Sequence, residues 1–190
     1  MIVLEDRKIV ILTPPHTASG NLHRALCGTE FNGRWAIGPT PDAKGYDHHV
    51  TQVAEGWREF TVALVVRHPL DRLIGLYEHH QEEARIHNWQ PISWWQFVAM
   101  SMEGNQDLSW FYRTTIHQLV GDTRIDCVLK YETIVEDIAG LIGKPVLLSP
   151  GWVEERDWSS FYAQIGICCI AEWWGRDDML RFGYSSLIAG

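Results

Sequence analysis

Apolar and polar positions along the chain follow two rhythms. Lys8-Ile9-Val10-Ile11-Leu12-Thr13 is a short β-branched apolar run ended by two prolines. A continuous run of that length bounded by breakers predicts a strand buried on both faces, as in a parallel sheet. Phe60–Val66 is a second such run, stopping at Arg67-His68-Pro69, and Asp126–Tyr131 is a third; Pro145–Leu148 is a candidate fourth, short strand. Between the runs the period becomes helical. Leu22, Ala25 and Leu26 share one helix face, and Leu70, Leu73, Ile74 and Tyr77 follow the i, i+3, i+4, i+7 pattern, with Pro69 suited to the first turn and a polar end through Glu82-Glu83-Ala84-Arg85.

Local signals add further boundaries. Asp47 is placed to cap a helix over His48–Trp57, and Ser93-x-x-Gln96 and Thr133-x-x-Glu136 have the form of capping boxes. Trp158–Arg181 reads as one or two helices ending near Gly183, whereas Gly33, Gly38, Pro39, Pro41 and Gly45 punctuate residues 29–46 into a loop with at most one short strand. Strands and helices therefore alternate. The expected class is α/β, with a central parallel sheet of about four strands flanked by helices. A length of 190 residues fits one domain over residues 1–190.

Composition narrows the function classes. The apolar fraction of 46% with 21% charged residues is that of an ordinary globular protein. The first strand begins within a few residues of Met1, with no charged leader and long apolar stretch before it, so the expectation is a cytoplasmic protein without a membrane partner. Cys27, Cys127, Cys168 and Cys169 have no metal-ligand spacing and read as reduced core residues. A net charge of −8 argues against a nucleic-acid partner, which needs clustered Lys and Arg. Acidic residues concentrate late: nine Lys and Arg face eleven Asp and Glu in residues 1–95, against seven and thirteen in residues 96–190. Eight of the nine histidines also fall in the first stretch, which makes it the better place for an anion site.

That site has a candidate loop. A parallel strand feeding a helix through small residues presents unpaired N–H groups and the positive end of the helix dipole, which together bind phosphate or sulfate. Thr13-Pro14-Pro15-His16-Thr17-Ala18-Ser19-Gly20-Asn21 is such a loop. Ala18, Ser19 and Gly20 permit close approach, and Thr17, Ser19 and Asn21 offer side-chain donors. No Gly-Lys-Ser/Thr follows, so the loop is not a Walker A motif. Arg67 stands at the carboxyl end of its strand, where open α/β sheets bind ligands, and an arginine fork there suits a second phosphate.

In these two segments the sequence resembles the PAPS-dependent sulfotransferases, which have a P-loop-kinase-like fold and use 3′-phosphoadenosine 5′-phosphosulfate (PAPS). Pro15-His16-Thr17-Ala18-Ser19-Gly20-Asn21-Leu22 is similar to that family's Pro-Lys-Thr-Gly-Gly-Thr-Ser-Leu phosphosulfate loop. Val66-Arg67-His68-Pro69-Leu70-Asp71-Arg72-Leu73 with Tyr77 resembles its Arg-x-Pro-x-Asp-Arg segment, which binds the 3′-phosphate. Val128-Leu129-Lys130-Tyr131-Glu132 and Asp177/Asp178 with Phe182-Gly183-Tyr184 also look like family features, while residues 88–125 match nothing. Two positions depart from the pattern: the loop lysine is His16, and the serine that helps hold the 3′-phosphate is Gly75.

The resemblance implies transfer of a sulfuryl group from PAPS to a small-molecule or carbohydrate acceptor, leaving 3′-phosphoadenosine 5′-phosphate (PAP). It implies binding by Pro15, His16, Thr17, Ala18, Ser19, Gly20, Asn21, Arg67 and the Gly75 position, with His16 catalytic and His49 or His48 as the base. Arg72 is either a helper of Arg67 or, as the simpler reading, a surface charge paired with Asp71. Three other readings stay open: a nucleotide-binding relative without activity, a small phosphoryl transferase on the same fold, and a metal module using His79, His80 and His87. Trp89, Trp94 and Trp95 are the candidate stacking platforms for an acceptor.

Overall fold

The computed structural model describes residues 1–35, 52–148 and 159–187. Its strands in chain order are β1 (Ile2–Leu4), β2 (Ile9–Leu12), β3 (Arg34–Trp35), β4 (Thr61–Val66) and β5 (Cys127–Lys130). Its helices are α1 (Ser19–Leu26), α2 (Pro69–His87), α3 (Trp94–Glu103), α4 (Ile116–Val120), α5 (Ile134–Ile142), α6 (Ser159–Tyr162), α7 (Ile165–Trp174) and α8 (Arg176–Phe182). The class is α/β. Two compact units divide the chain, one of Met1–Arg67 with Val120–Glu155 and one of His68–Leu119 with Arg156–Gly190.

The first unit holds the sheet, in the order β3-β1-β2-β4-β5. β2, β4 and β5 run parallel, with Ile9 opposite Thr61 and Ala63 opposite Cys127. These are the three apolar runs legible in the sequence, and β2 is buried at every position. β1 and β3 add an antiparallel edge, so the sheet is mixed with a parallel centre. β1 and β2 are joined by a 3-10 turn over Glu5–Arg7 that closes with Lys8 at φ 53°. One face of the sheet packs Ile9, Ile11, Ala63, Val65 and Leu129 against Leu22 and Leu26 of α1 and Ile134, Ile138 and Ile142 of α5. That packing fixes where α1 begins relative to the carboxyl end of β2.

Three local expectations change. Pro145–Leu148 forms no strand; Val146 is buried in the core while Leu147 is exposed, which a central strand with two covered faces would not allow. Thr133 makes no side-chain cap; its hydroxyl donates to Asp137 (3.0 Å), whose carboxylate also takes the Lys130 amide (2.8 Å). Of the helix expected over His48–Trp57, residues 52–57 contain only the 3-10 turn Glu55–Trp57, and the rest lies outside the described residues.

The second unit is helical. Leu70, Leu73, Ile74 and Leu76 of α2 pack with Trp94, Phe97 and Val98 of α3 and Cys168 and Ala171 of α7. Ser93 caps α3 in the expected reciprocal box with Gln96. Of the cysteines, Cys168 is buried, Cys27 and Cys127 are half-buried, and Cys169 is exposed rather than core. No helix among the described residues is long and apolar enough to cross a membrane.

Candidate anion-binding site

β2 ends at Leu12, and Pro14 and Pro15 turn the chain towards α1. Thr17 donates to the Pro14 carbonyl through both its amide (3.2 Å) and its hydroxyl (2.7 Å). Those two hydrogen bonds to one carbonyl lock the turn, and the Thr17 side chain is buried. His16 (φ 61°) and Ala18 (φ 87°) on either side are left-handed. Alternation of hand along a short segment aims successive N–H groups into one concavity, the arrangement that binds anions.

Ala18 caps α1 with its carbonyl only, accepting from Asn21 and Leu22 (3.1 Å each). The amides of Ala18, Ser19 and Gly20 have no acceptor among the described residues. No acidic residue occupies the first turn of α1 to compete for them. The cradle is therefore made of backbone donors at the positive end of a helix dipole.

Arg67 follows β4 directly and is only 8% exposed. Its Nη1 donates to the His16 carbonyl at 3.4 Å, and its guanidinium lies 4.2 Å from the ring centre of Tyr131, the residue after β5. The 3.4 Å bond is long, whereas a desolvated cation over an aromatic face gains about 2 kcal/mol. Because β2, β4 and β5 are parallel neighbours, their carboxyl ends meet at this one arginine. In the sequence Tyr131 entered only as the end of the third apolar run and part of the Val128–Glu132 resemblance, without a site role; its place at the carboxyl end of that run is the signal that could have given it one.

A second guanidinium stands beside the cradle. Arg24 folds back along α1 to donate to Asn21 Oδ1, and its Nη1 comes within 4.0 Å of where a β-carbon on Gly20 would sit. Asn21 and Arg24 are three residues apart on one helix, a spacing that brings side chains together. Of the three side chains expected to face an anion, the Thr17 hydroxyl is bound to Pro14, Asn21 Oδ1 is bound to Arg24, and the Ser19 hydroxyl has no partner among the described residues. His23 nearby is held below the ordinary histidine pKa by burial and by Arg24.

The expected site residues divide between the two units. Pro15, His16, Thr17, Ala18, Ser19, Gly20, Asn21 and Arg67 belong to the first unit, while Gly75 is buried on α2 in the second. His48 and His49 lie outside the described residues. Arg72 corrects the sequence reading: it is 1% exposed, donates to the carbonyls of Thr114 (3.0 Å) and Phe111 (3.4 Å), and is no surface charge. Asp71 turns instead to the Tyr162 hydroxyl at 2.5 Å.

The histidines of α2 are spent on packing. His79 and His80 lie against Tyr112, with Phe111 and Phe97 beside them, and His87 stacks on Trp89 and pairs with Glu83 (3.3 Å). Burial, with His79 adjacent, holds His80 below the ordinary histidine pKa. No group of three His, Cys, Asp or Glu among the described residues is placed to hold a metal ion. Trp94 is core, whereas Trp89 and Trp95 are exposed.

No family model matches the chain, and no curated protein matches it. Among solved structures, the chain is similar to a sulfotransferase from Alicyclobacillus acidocaldarius at 14% identity, covering 90% of this chain and 89% of that one, with a TM-score of 0.32. At that score the superposition is too loose to identify a fold, so the functional reading rests on the chain's own residues.

Proposed function

We propose that the chain is a sulfotransferase that moves a sulfuryl group from PAPS to an acceptor hydroxyl or amine. The observation that carries this reading is the juxtaposition of two anion-suited groups at one sheet edge. The amides of Ala18, Ser19 and Gly20 form a concave cradle, and Arg67 is tethered to the carbonyl of His16 in the same loop. A ligand with two separated anionic groups suits that pair, and the sequence resemblance names such a ligand. The same resemblance suggests a sulfotransferase-like arrangement of the strand, loop and helix.

PAPS supplies an activated sulfuryl group on a bridging oxygen. The amides of residues 18–20 would hold the 5′-phosphosulfate through hydrogen bonds that cost no reorganisation as charge develops. Arg67 would hold the 3′-phosphate. A protonated His16 ring would donate to the bridging oxygen as the S–O bond breaks and its electron pair moves onto that oxygen. His48 or His49 would take the acceptor's proton as the new bond to sulfur forms, and no metal is required.

Titration calorimetry with PAP tests the reading. Wild-type protein should bind, and Arg67→Ala should weaken binding by roughly tenfold or more, as for a lost charge-assisted contact. Absence of wild-type binding, or unchanged affinity in Arg67→Ala, overturns it. The histidine at position 16 favours one second reading, a nucleotide-binding relative without transfer activity. PAP binding with no sulfation of any phenol, alcohol, amine or sugar supplied with PAPS would establish that reading instead.

A further inference from the structure

We propose that a groove between α3 and α7, within the second unit, binds a small organic cation with an apolar body. The groove has a volume of about 420 Å³ and is lined by Trp95, Ala99, Met102 and Glu103 of α3 and by Cys169 and Trp173 of α7, among others. That volume lies within the usual range for small-molecule sites. Residues 95, 99, 102 and 103 recur every three to four positions, so they form one face of α3, opposite the face that buries Trp94, Phe97 and Val98. Ala99 is the small residue that opens the floor.

The lining defines the ligand. Two large indoles stand exposed at the groove, Trp95 at 50% and Trp173 at 66%. Indole faces attract cations more strongly than any other side-chain ring. Glu103 is the one charged side chain of the lining, and it has no ion-pair or hydrogen-bond partner among the described residues.

Glu103 is the last residue of α3, where the helix dipole is negative, and the last turn contains no basic residue. A carboxylate there is repelled by its own helix and gains from an external cation. Aromatic faces, a polarisable methionine and a single uncompensated carboxylate together fit an aryl- or alkylammonium, and they disfavour an anion.

Exposed Cys169 provides the readout. 2-Phenylethylammonium and its uncharged counterpart 2-phenylethanol would be titrated against alkylation of Cys169 by iodoacetamide, followed by mass spectrometry of the Cys169 peptide. The ammonium should protect Cys169 and the alcohol should protect it at least about threefold less well, a difference set by cation–π attraction and one ion pair. Glu103→Gln should remove the preference for the ammonium, and Trp173→Ala should weaken both ligands; far-UV circular dichroism would confirm that each variant is folded. No protection at millimolar ammonium, equal protection by both compounds, or an unchanged preference in Glu103→Gln overturns the proposal. Protection that depends on protein concentration without any ligand also overturns it, because the groove would then be covered by a second copy of the chain.

Discussion

The guanidinium of Arg67 lies 4.2 Å over the ring of Tyr131, so the ends of β4 and β5 are joined by a cation–π contact next to the anion cradle. This contact has consequences for both stability and binding. Tyr131→Leu should cost about 1–2 kcal/mol in urea denaturation and should weaken PAP binding, because the buried cation loses its aromatic face. Tyr131→Phe keeps the ring and should lose much less. Equal losses in the two variants would show that the hydroxyl, not the ring, holds Arg67.

Ala18 stands at φ 87°, a region that favours glycine. A β-carbon there costs about 1–2 kcal/mol, and glycine returns about 0.5–1 kcal/mol of that through its larger unfolded-state entropy. Ala18→Gly should therefore stabilise the protein by roughly 0.5–1 kcal/mol. Ala18→Val should do the opposite and by more, since a β-branched side chain is least tolerant of this conformation. Denaturation midpoints of the three proteins check the order Gly, Ala, Val.

Asp178 is buried on α8 and accepts the amides of Ile116 (2.9 Å) and His117 (2.5 Å). Burial raises its pKa, although the two amides and the charges of Arg72 and His117 pull the other way. In the window between the ordinary aspartate pKa and the raised folded value, the folded state binds more protons than the unfolded state. Stability from this group is thus fully present below the unfolded pKa and is lost as pH rises through the folded one. Relative to Asp178→Asn, the wild type should gain stability on acidification through that window, measured by urea denaturation at a series of pH values. Asp178→Ala should cost about 2–4 kcal/mol at neutral pH by leaving one buried and one half-buried amide without their acceptor.

The parallel centre of the sheet was legible because β2 and β4 are nearly continuous apolar runs, the signature of strands covered on both faces. β1 was not, since three apolar residues before Glu5-Asp6 cannot be told from a chain end by pattern alone. The strand–loop–helix order around residues 12–19 was legible as well, but the partners of the loop's side chains were not. Which way Thr17 and Asn21 point depends on the Pro14 carbonyl and on Arg24, and neither partner follows from anion-loop reasoning. Arg72 failed for a related reason. Its neighbour Asp71 suggested a local pair, whereas its burial is set by the carbonyls of Thr114 and Phe111, some forty residues away.

Gly175 shows how tightly the second unit is packed. It sits between α7 and α8 with an ordinary backbone conformation (φ −87°), so conformational freedom does not explain glycine there. A β-carbon at this position would instead overlap the Cβ and Cγ atoms of Pro69, the first residue of α2. Neither side can yield easily. The proline ring has a fixed φ, and Leu70 beside it is fully buried. Gly175→Ala should therefore cost about 1–3 kcal/mol despite adding a single methyl group. Pro69→Gly removes both overlapping atoms, so the double variant should be more stable than the sum of the single losses by about 0.5 kcal/mol or more. Simple additivity in that cycle would show that the cost arises within the α7–α8 turn itself and not from contact with the start of α2.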